Sequence, residues 1–249
     1  MAADVVLTRA DVTVLCDAVL VSRMIFERIR NYIIFRINAS VVILFWSFLA
    51  GLALNFGFSA LVLVIIAWLN NFVVLSIAYD RISPLRRPMR WEYIDVLSIS
   101  LVFSFLSCCE VYAAFLLSSG GYLLFTDYPT PAQIRTCVFL VLSVSDQSTI
   151  FSIRSRGPVF TSHAPSAMLV VTVLLCAVAS SLMALFWPFG SSLEPIYGFD
   201  VLQCWLILLF FFLLKEVAKV LVYYIIDYMF PYTTRVIPKM LQQERLEEL

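Results

Sequence analysis

Apolar positions along this chain gather into six long runs instead of the short stripes that a soluble domain buries. Each run approaches the roughly 20 residues that a helix needs to cross the hydrocarbon core of a bilayer. Because lipid cannot hydrogen-bond to exposed backbone groups, such runs form helices. The sequence therefore predicts an all-α integral membrane protein with six transmembrane helices, at 37–56, 58–78, 94–117, 136–153, 167–187 and from 201 to at least 214.

Basic residues mark the orientation of these spans. The loops at 118–133 and 190–200 contain no lysine or arginine. Arginines instead follow the second and fourth spans, at Arg81, Arg86, Arg87, Arg90, Arg154 and Arg156. Loops rich in basic residues stay on the cytoplasmic side of a membrane. This distribution predicts that both termini lie on the arginine-bearing side.

The N-terminal region has the pattern of a stalk and not that of a cleavable signal. Residues 2–8 are predicted to form a short strand, and 11–35 one long helix, because apolar positions recur there at helical spacing. This stalk helix is expected to continue into the first span. The predicted organisation is a strand and stalk over 1–30, a six-helix membrane domain over 31–228 and a polar tail over 229–249.

Composition narrows the classes of function. Apolar residues make up 62% of the chain and charged residues 14%, and the net charge is zero, which gives no electrostatic basis for binding nucleic acid. The six cysteines lack the spacing of metal ligands. The sequence predicts no catalytic residues, no metal and no cofactor.

Five segments, in order, resemble P-type ATPases, and most closely the plasma-membrane proton-pump branch. They are Ala-Ala-Asp-Val-Val-Leu-Thr at 2–8, Ser-Arg-Met-Ile-Phe-Glu-Arg-Ile-Arg-Asn-Tyr at 22–32, Ile-Ala-Trp-Leu-Asn-Asn at 66–71, Asp80-Arg81 with Pro84, and Phe-Ser-Ile-Arg-Ser-Arg at 151–156. The resemblance implies the C-terminal membrane half of such a pump, its fifth to tenth helices. The family's phosphorylation motif and its nucleotide and actuator domains have no counterpart in the sequence, so neither enzymatic activity nor nucleotide binding is expected.

The resemblance also implies an altered transport site. The pumps read Leu-Asn-Asp in their sixth helix, whereas this chain reads Leu-Asn-Asn and places Asn71, which cannot titrate, at the carboxylate position. Phe72 replaces the next glycine and is expected beside the pathway. The family's membrane arginine falls on Val42, while Arg36 lies about a turn and a half earlier. These changes argue against proton transport by the family mechanism.

Intramembrane polar residues are the candidate site. Carboxylates within a span are functional by default, so Glu110 and Asp146 are either a proton relay or structurally paired with another helix or a partner protein. Arg36 is interpreted as an interfacial anchor, and Lys215, Glu216 and Lys219 as the exit of the sixth span. The predicted set of buried polar, helix-packing residues is Asn70, Asn71, Glu110, Asp146, Gln147 and Arg36.

These features favour a non-catalytic structural or accessory subunit, a pseudo-pump in a larger membrane complex. Its expected partners are membrane lipids and other membrane protein subunits. The alternatives are the membrane half of a split proton-transporting P-type ATPase and a regulator of an intact pump. The mitochondrial inner membrane is the predicted compartment, with the plasma membrane as the alternative.

Overall fold

The computed structural model describes residues 13–49, 51–52, 57–82, 93–120, 129–155, 157–159, 164–188 and 192–229. Its regular structure is helical throughout this part of the chain, and the strand predicted at 2–8 lies outside it. The six α-helices are α1 (Thr13–Leu44), α2 (Ala60–Ile77), α3 (Tyr93–Ser119), α4 (Pro131–Ile153), α5 (Ala167–Leu185) and α6 (Gly198–Met229).

Among the described residues, five helical stretches are long and apolar enough to cross a membrane, namely Leu15–Phe48, Ala60–Ile77, Tyr93–Ser119, Pro131–Ile153 and Ala167–Leu185. The sixth helix, α6, is 32 residues long and lies where the sixth span was predicted, with several charged residues in its C-terminal half. The prediction of an all-α integral membrane protein is therefore confirmed.

Helix boundaries follow local signals that the apolar runs do not contain. α4 begins five residues before its predicted start because Thr130 forms a capping box with Gln133: the Gln133 N–H donates to Thr130 Oγ1 (3.2 Å), and the Thr130 N–H donates to Gln133 Oε1 (3.1 Å). Pro131 then occupies the first helical position, where its missing N–H costs nothing. α1 runs unbroken from Thr13 to Leu44 and continues into a π-helical turn, Phe45–Leu49.

Hydrogen bonds at the two ends of the bundle show how the helices alternate. At one end, the Asp80 carboxylate accepts from Arg154 Nε (3.0 Å) and from the Ser166 N–H (3.0 Å), and Arg28 donates to the Asp80 carbonyl oxygen (2.9 Å). At the other end, Thr136 Oγ1 donates to the Glu194 carbonyl oxygen (2.7 Å). Successive helices thus run between the two ends in alternating directions, and Arg28, Arg81 and Arg154 gather at the Asp80 end.

α4 is the centre of the bundle. In an apolar 18-residue stretch of its candidate span 89% of the residues are buried, against 33–44% in such stretches of the other four. It contacts α1, α2, α3, α5 and α6. Serines at 143 and 145 provide small side chains on this helix, and small residues let membrane helices approach closely. α4 therefore has almost no surface left for lipid.

Candidate functional site

The polar residues of α4 form the centre of the candidate site. Six of them are buried, although the helix lies inside an apolar bundle: Ser143, Ser145, Asp146, Gln147, Thr149 and Ser152. Consecutive residues on an α-helix point about 100° apart. The side chains of residues 143–149 therefore point towards several neighbouring helices at a similar depth in the bundle.

An ion pair joins α6 to α3 beside Ser145. Lys215 Nζ donates to Glu110 Oε2 (2.7 Å), to Ser145 Oγ (2.8 Å) and to Thr149 Oγ1 (3.4 Å). Ser145 Oγ donates in turn to Glu110 Oε2 (2.6 Å). Both charged side chains are at most 1% exposed. An ammonium group has three hydrogens, and each finds an acceptor here.

Lys215, Glu216 and Lys219, predicted to mark the exit of the sixth span, are all buried among the helices. Lys219 Nζ donates to the Ser152 carbonyl oxygen (3.0 Å) and to the Glu216 carboxylate (2.9 Å). The sequence reasoning missed Lys215 as the partner of Glu110. A signal existed, since Lys215 and Lys219 lie four residues apart and therefore share one face of α6.

Asp146 contacts a different helix from its neighbour Ser145. Its Oδ2 accepts a hydrogen bond from Asn70 Nδ2 of α2 (3.0 Å), and both side chains are buried. Asp146 Oδ1 and Asn70 Oδ1 have no hydrogen-bond partner among the described residues. The predicted candidates Asn70 and Asp146 therefore form one pair, whereas Glu110 contacts α4 at Ser145.

Gln147 faces α5. Its Nε2 donates to Ser143 Oγ (3.1 Å) and to Ser180 Oγ (3.4 Å), and the two serine hydroxyls are 2.9 Å apart. This small cluster ties α4 to α5 through neutral hydrogen bonds.

Asn71 and Arg36 lie elsewhere, on the outer surface of the bundle, so the prediction that they are buried is wrong. Arg36 Nη1 donates to Asn71 Oδ1 (3.2 Å), and both side chains are exposed. The phase of α2 explains this, because Val73 and Asn70 face the bundle and position 71 turns outward. Phe72 also points outward and is 52% exposed. This is contrary to the expectation that it lies beside a pathway inside the bundle.

The buried layer thus consists of paired and hydrogen-bonded groups fixed between helices. The described residues contain no group of three or more histidine, cysteine, aspartate or glutamate side chains that could hold a metal ion. Chemically, the layer can hold helices in register, and Asp146 Oδ1, which has no hydrogen-bond partner among the described residues, could accept a further donor.

Comparison with known proteins gives the family. No protein-family profile matches the chain. It is 30% identical over 222 residues to a protein of Methanocaldococcus jannaschii named as a cation-transporting ATPase, covering 88% of this chain and 26% of that protein. It is 33% identical over 159 residues to a plasma membrane ATPase of Dictyostelium discoideum, covering 62% of this chain and 15% of that protein.

The chain therefore spans about a quarter or less of the length of these relatives. The matched part of the chain includes most of its apolar helices, in agreement with the motifs at 22–32, 66–71 and 151–156. The resemblance predicted from the sequence is confirmed, and this chain is related to the P-type ATPases through their C-terminal membrane segment.

Proposed function

We propose that this chain acts as a non-catalytic structural subunit of a larger membrane protein complex, built on a P-type ATPase membrane fold. The observation that carries the proposal is the Glu110–Lys215 ion pair, in which two charged groups of this chain neutralise each other inside the buried polar layer. A transport site, in contrast, must present groups that can exchange their ligand.

Two features of the bundle argue for a static role. Breaking a buried ion pair leaves an uncompensated charge and is strongly unfavourable, so Glu110 is poorly suited to release and regain a proton or cation. At the position where the pumps have their sixth-helix carboxylate, this chain has Asn71, an amide that cannot titrate, and Asn71 faces outward. The polar groups of the layer hold helices together instead of exchanging a ligand.

The outer surface supports a role inside an assembly. Arg36 and Asn71 expose polar groups within the apolar part of α1 and α2, which lipid solvates poorly. The first half of α1, predicted as a stalk, exposes Ile25 and Phe26. Neighbouring protein subunits would cover both regions. Membrane lipids and other membrane subunits are therefore the proposed partners, with no catalytic activity and no nucleotide bound by this chain.

A second candidate function is the membrane half of a proton-transporting pump whose catalytic domains are separate. Asp146 favours it, because the Oδ1 of this buried carboxylate has no partner in the described part of the chain and the residue lies beside Asn70. The names of the two relatives point the same way. A regulator of an intact pump is a weaker variant of this alternative. For the structural subunit, we propose an organellar membrane such as the mitochondrial inner membrane; the plasma membrane fits the pump alternative.

A native gel of gently solubilised membranes tests the proposal. The chain is detected in the gel, and the band is identified by mass spectrometry. We expect it in a large complex that contains no chain with P-type phosphorylation and nucleotide domains. Co-migration with such a chain, or phosphorylation of the band by ATP, would contradict the structural role and support the pump alternative. Migration as a free 28.3 kDa protein would contradict both.

A further inference from the structure

The outward surfaces of α1 and α2 form one continuous face around Arg36 and Asn71. On α1, exposed residues recur every four positions, and on α2 every three or four, as expected for single helix faces. We define this α1/α2 face by its exposed residues Tyr32, Arg36, Ser40, Leu44, Trp68, Asn71, Phe72 and Leu75. The Arg36–Asn71 hydrogen bond joins its two halves.

Arg36 lies well inside the bundle's length. It is eight residues beyond Arg28, whose guanidinium group contacts the Asp80 carbonyl oxygen at the end of the bundle. At about 1.5 Å per residue, this places Arg36 about 12 Å from that end. Asn71 is nine residues before Asp80, at a similar depth. A charged side chain so far from the bundle's end is exposed where lipid would surround it, and such residues usually face protein or water.

Arg36 differs from the basic side chains that form ion pairs. Among the described residues, four basic side chains lie within 3.3 Å of a carboxylate: Arg30 with Glu27, Arg154 with Asp80, Lys215 with Glu110, and Lys219 with Glu216. Arg36 contacts a neutral amide oxygen through one of its five N–H groups, and the described residues supply no other hydrogen bond to it. Its positive charge remains uncompensated.

Asn71 makes the same surface suitable for an acceptor. Its Oδ1 is used by Arg36, which leaves the two Nδ2 hydrogens available. A guanidinium group and an amide held together in this way can donate to the two oxygens of one carboxylate. Ser40 and Ala67 are exposed nearby, and small residues allow another helix to approach closely.

We propose that the α1/α2 face binds a transmembrane helix of another subunit that presents an aspartate or glutamate to Arg36 and Asn71. This inference rests on the proposed function, since it requires a neighbouring subunit, and it adds the surface and the chemistry of the contact. The carboxylate neutralises Arg36, and the large apolar side chains of Trp68, Phe72 and Leu75 pack against the same helix.

Photo-cross-linking in native membranes tests the surface. A photoreactive amino acid replaces Trp68, which is 67% exposed on the α1/α2 face, and the matched control replaces Phe105 of α3, which is 68% exposed on another helix. We expect a protein adduct from position 68 whose linked peptide contains a transmembrane aspartate or glutamate, and lipid adducts alone from position 105. Lipid adducts alone at position 68, a peptide without an acidic residue, or a second copy of this chain would overturn the proposal.

Charge variants test the chemistry. Arg36→Gln should lower recovery of the cross-linked partner about tenfold, while Arg36→Lys, which keeps the charge, should lower it less than about threefold. Arg36→Glu combined with the partner's carboxylate→Arg should restore recovery. Equal recovery with Arg36→Gln and the unmodified chain would overturn the proposal. Because Arg36 is exposed, an unchanged melting temperature of the solubilised variant verifies that it folds.

The two proposals fail in different ways. A chain that runs alone on a native gel contradicts the proposed function itself. A chain that stays in a large complex, but shows neither the adduct at position 68 nor sensitivity to Arg36→Gln, contradicts the docking surface alone.

Discussion

Two polar pairs of this bundle, Glu110–Lys215 and Arg36–Asn71, both lie within apolar helices but differ in how their charges are neutralised. The first joins α3 to α6 through a 2.7 Å ion pair that is surrounded by hydroxyl groups and closed to solvent. The second joins α1 to α2 through one 3.2 Å hydrogen bond between a cation and an amide, on the outside. The first pair satisfies its own charges, whereas the second leaves one charge unmatched.

The first pair therefore stabilises the chain itself, whereas the second requires a group from outside the chain. Removing one partner of a buried pair strands a charge in a medium of low dielectric constant, so the Glu110–Lys215 pair should contribute strongly to stability. An exposed contact between a charge and an amide contributes little to the isolated chain. We therefore expect the loss in free energy of unfolding to be largest for variants of buried, ion-paired residues and smallest for variants of exposed residues.

The largest effect is expected for Lys215→Met. The substitution leaves Glu110 without its cation and should lower the free energy of unfolding by about 3–5 kcal/mol. Thermal unfolding in detergent measures this, with a thiol-reactive fluorophore reporting exposure of the buried Cys137, Cys176 and Cys204. The double variant Glu110→Gln with Lys215→Met removes both charges and should regain most of the loss. A double variant as unstable as Lys215→Met would show that packing, and not charge, dominates.

The sequence predicts the helices well because their cause is visible in it. A membrane span must be a long apolar run, and each of the six runs overlaps a helix of the described residues. Residues outside the apolar runs decide where the helices begin and end. The Thr130 capping box starts α4 before its apolar run, and α6 continues beyond its run into a half that carries several charged residues.

The sequence predicts the candidate site less completely. Asp146 and Glu110 stand out because carboxylates are rare within spans. Their partners do not, since pairing depends on how helices rotate against each other. Asn70 and Asn71 are adjacent and chemically identical, and packing alone turns the first toward Asp146 and the second outward. Lys215 follows an apolar run and so has the pattern of a helix leaving the membrane.

An intermediate effect is expected for Asp80→Asn at the end of the bundle. The carboxylate there accepts hydrogen bonds from Arg154 and from the Ser166 N–H, and losing its charge should lower the free energy of unfolding by about 2 kcal/mol. The same thermal assay measures it. Glu194→Gln at the opposite end, where the carboxylate accepts from the exposed Thr130 hydroxyl, is the matched control and should change stability by less than about 0.5 kcal/mol. Equal losses would contradict a special role of Asp80.

A smaller effect is expected for Asn70→Leu. The substitution removes the hydrogen bond to Asp146, and side-chain hydrogen bonds between membrane helices contribute about 0.6 kcal/mol on average and up to about 1.7 kcal/mol. Asn71→Leu changes the neighbouring residue identically, but on the exposed surface, and should leave the melting temperature of the isolated chain unchanged. If Asn71→Leu were the more destabilising of the two, the described rotation of α2 would be wrong.

The smallest effect on the isolated chain, and the sharpest contrast, is expected for Arg36→Leu. The residue makes one exposed hydrogen bond, so its removal should change the free energy of unfolding by no more than about 0.5 kcal/mol, and the exposed leucine suits lipid or detergent better than a guanidinium group does. Thermal unfolding of the purified chain measures this. The same variant in native membranes should lose its place in the complex on a native gel, because the group that the partner neutralises is gone. A variant that unfolds like Lys215→Met would show that Arg36 stabilises this chain itself, and the difference between the two pairs would then be one of degree.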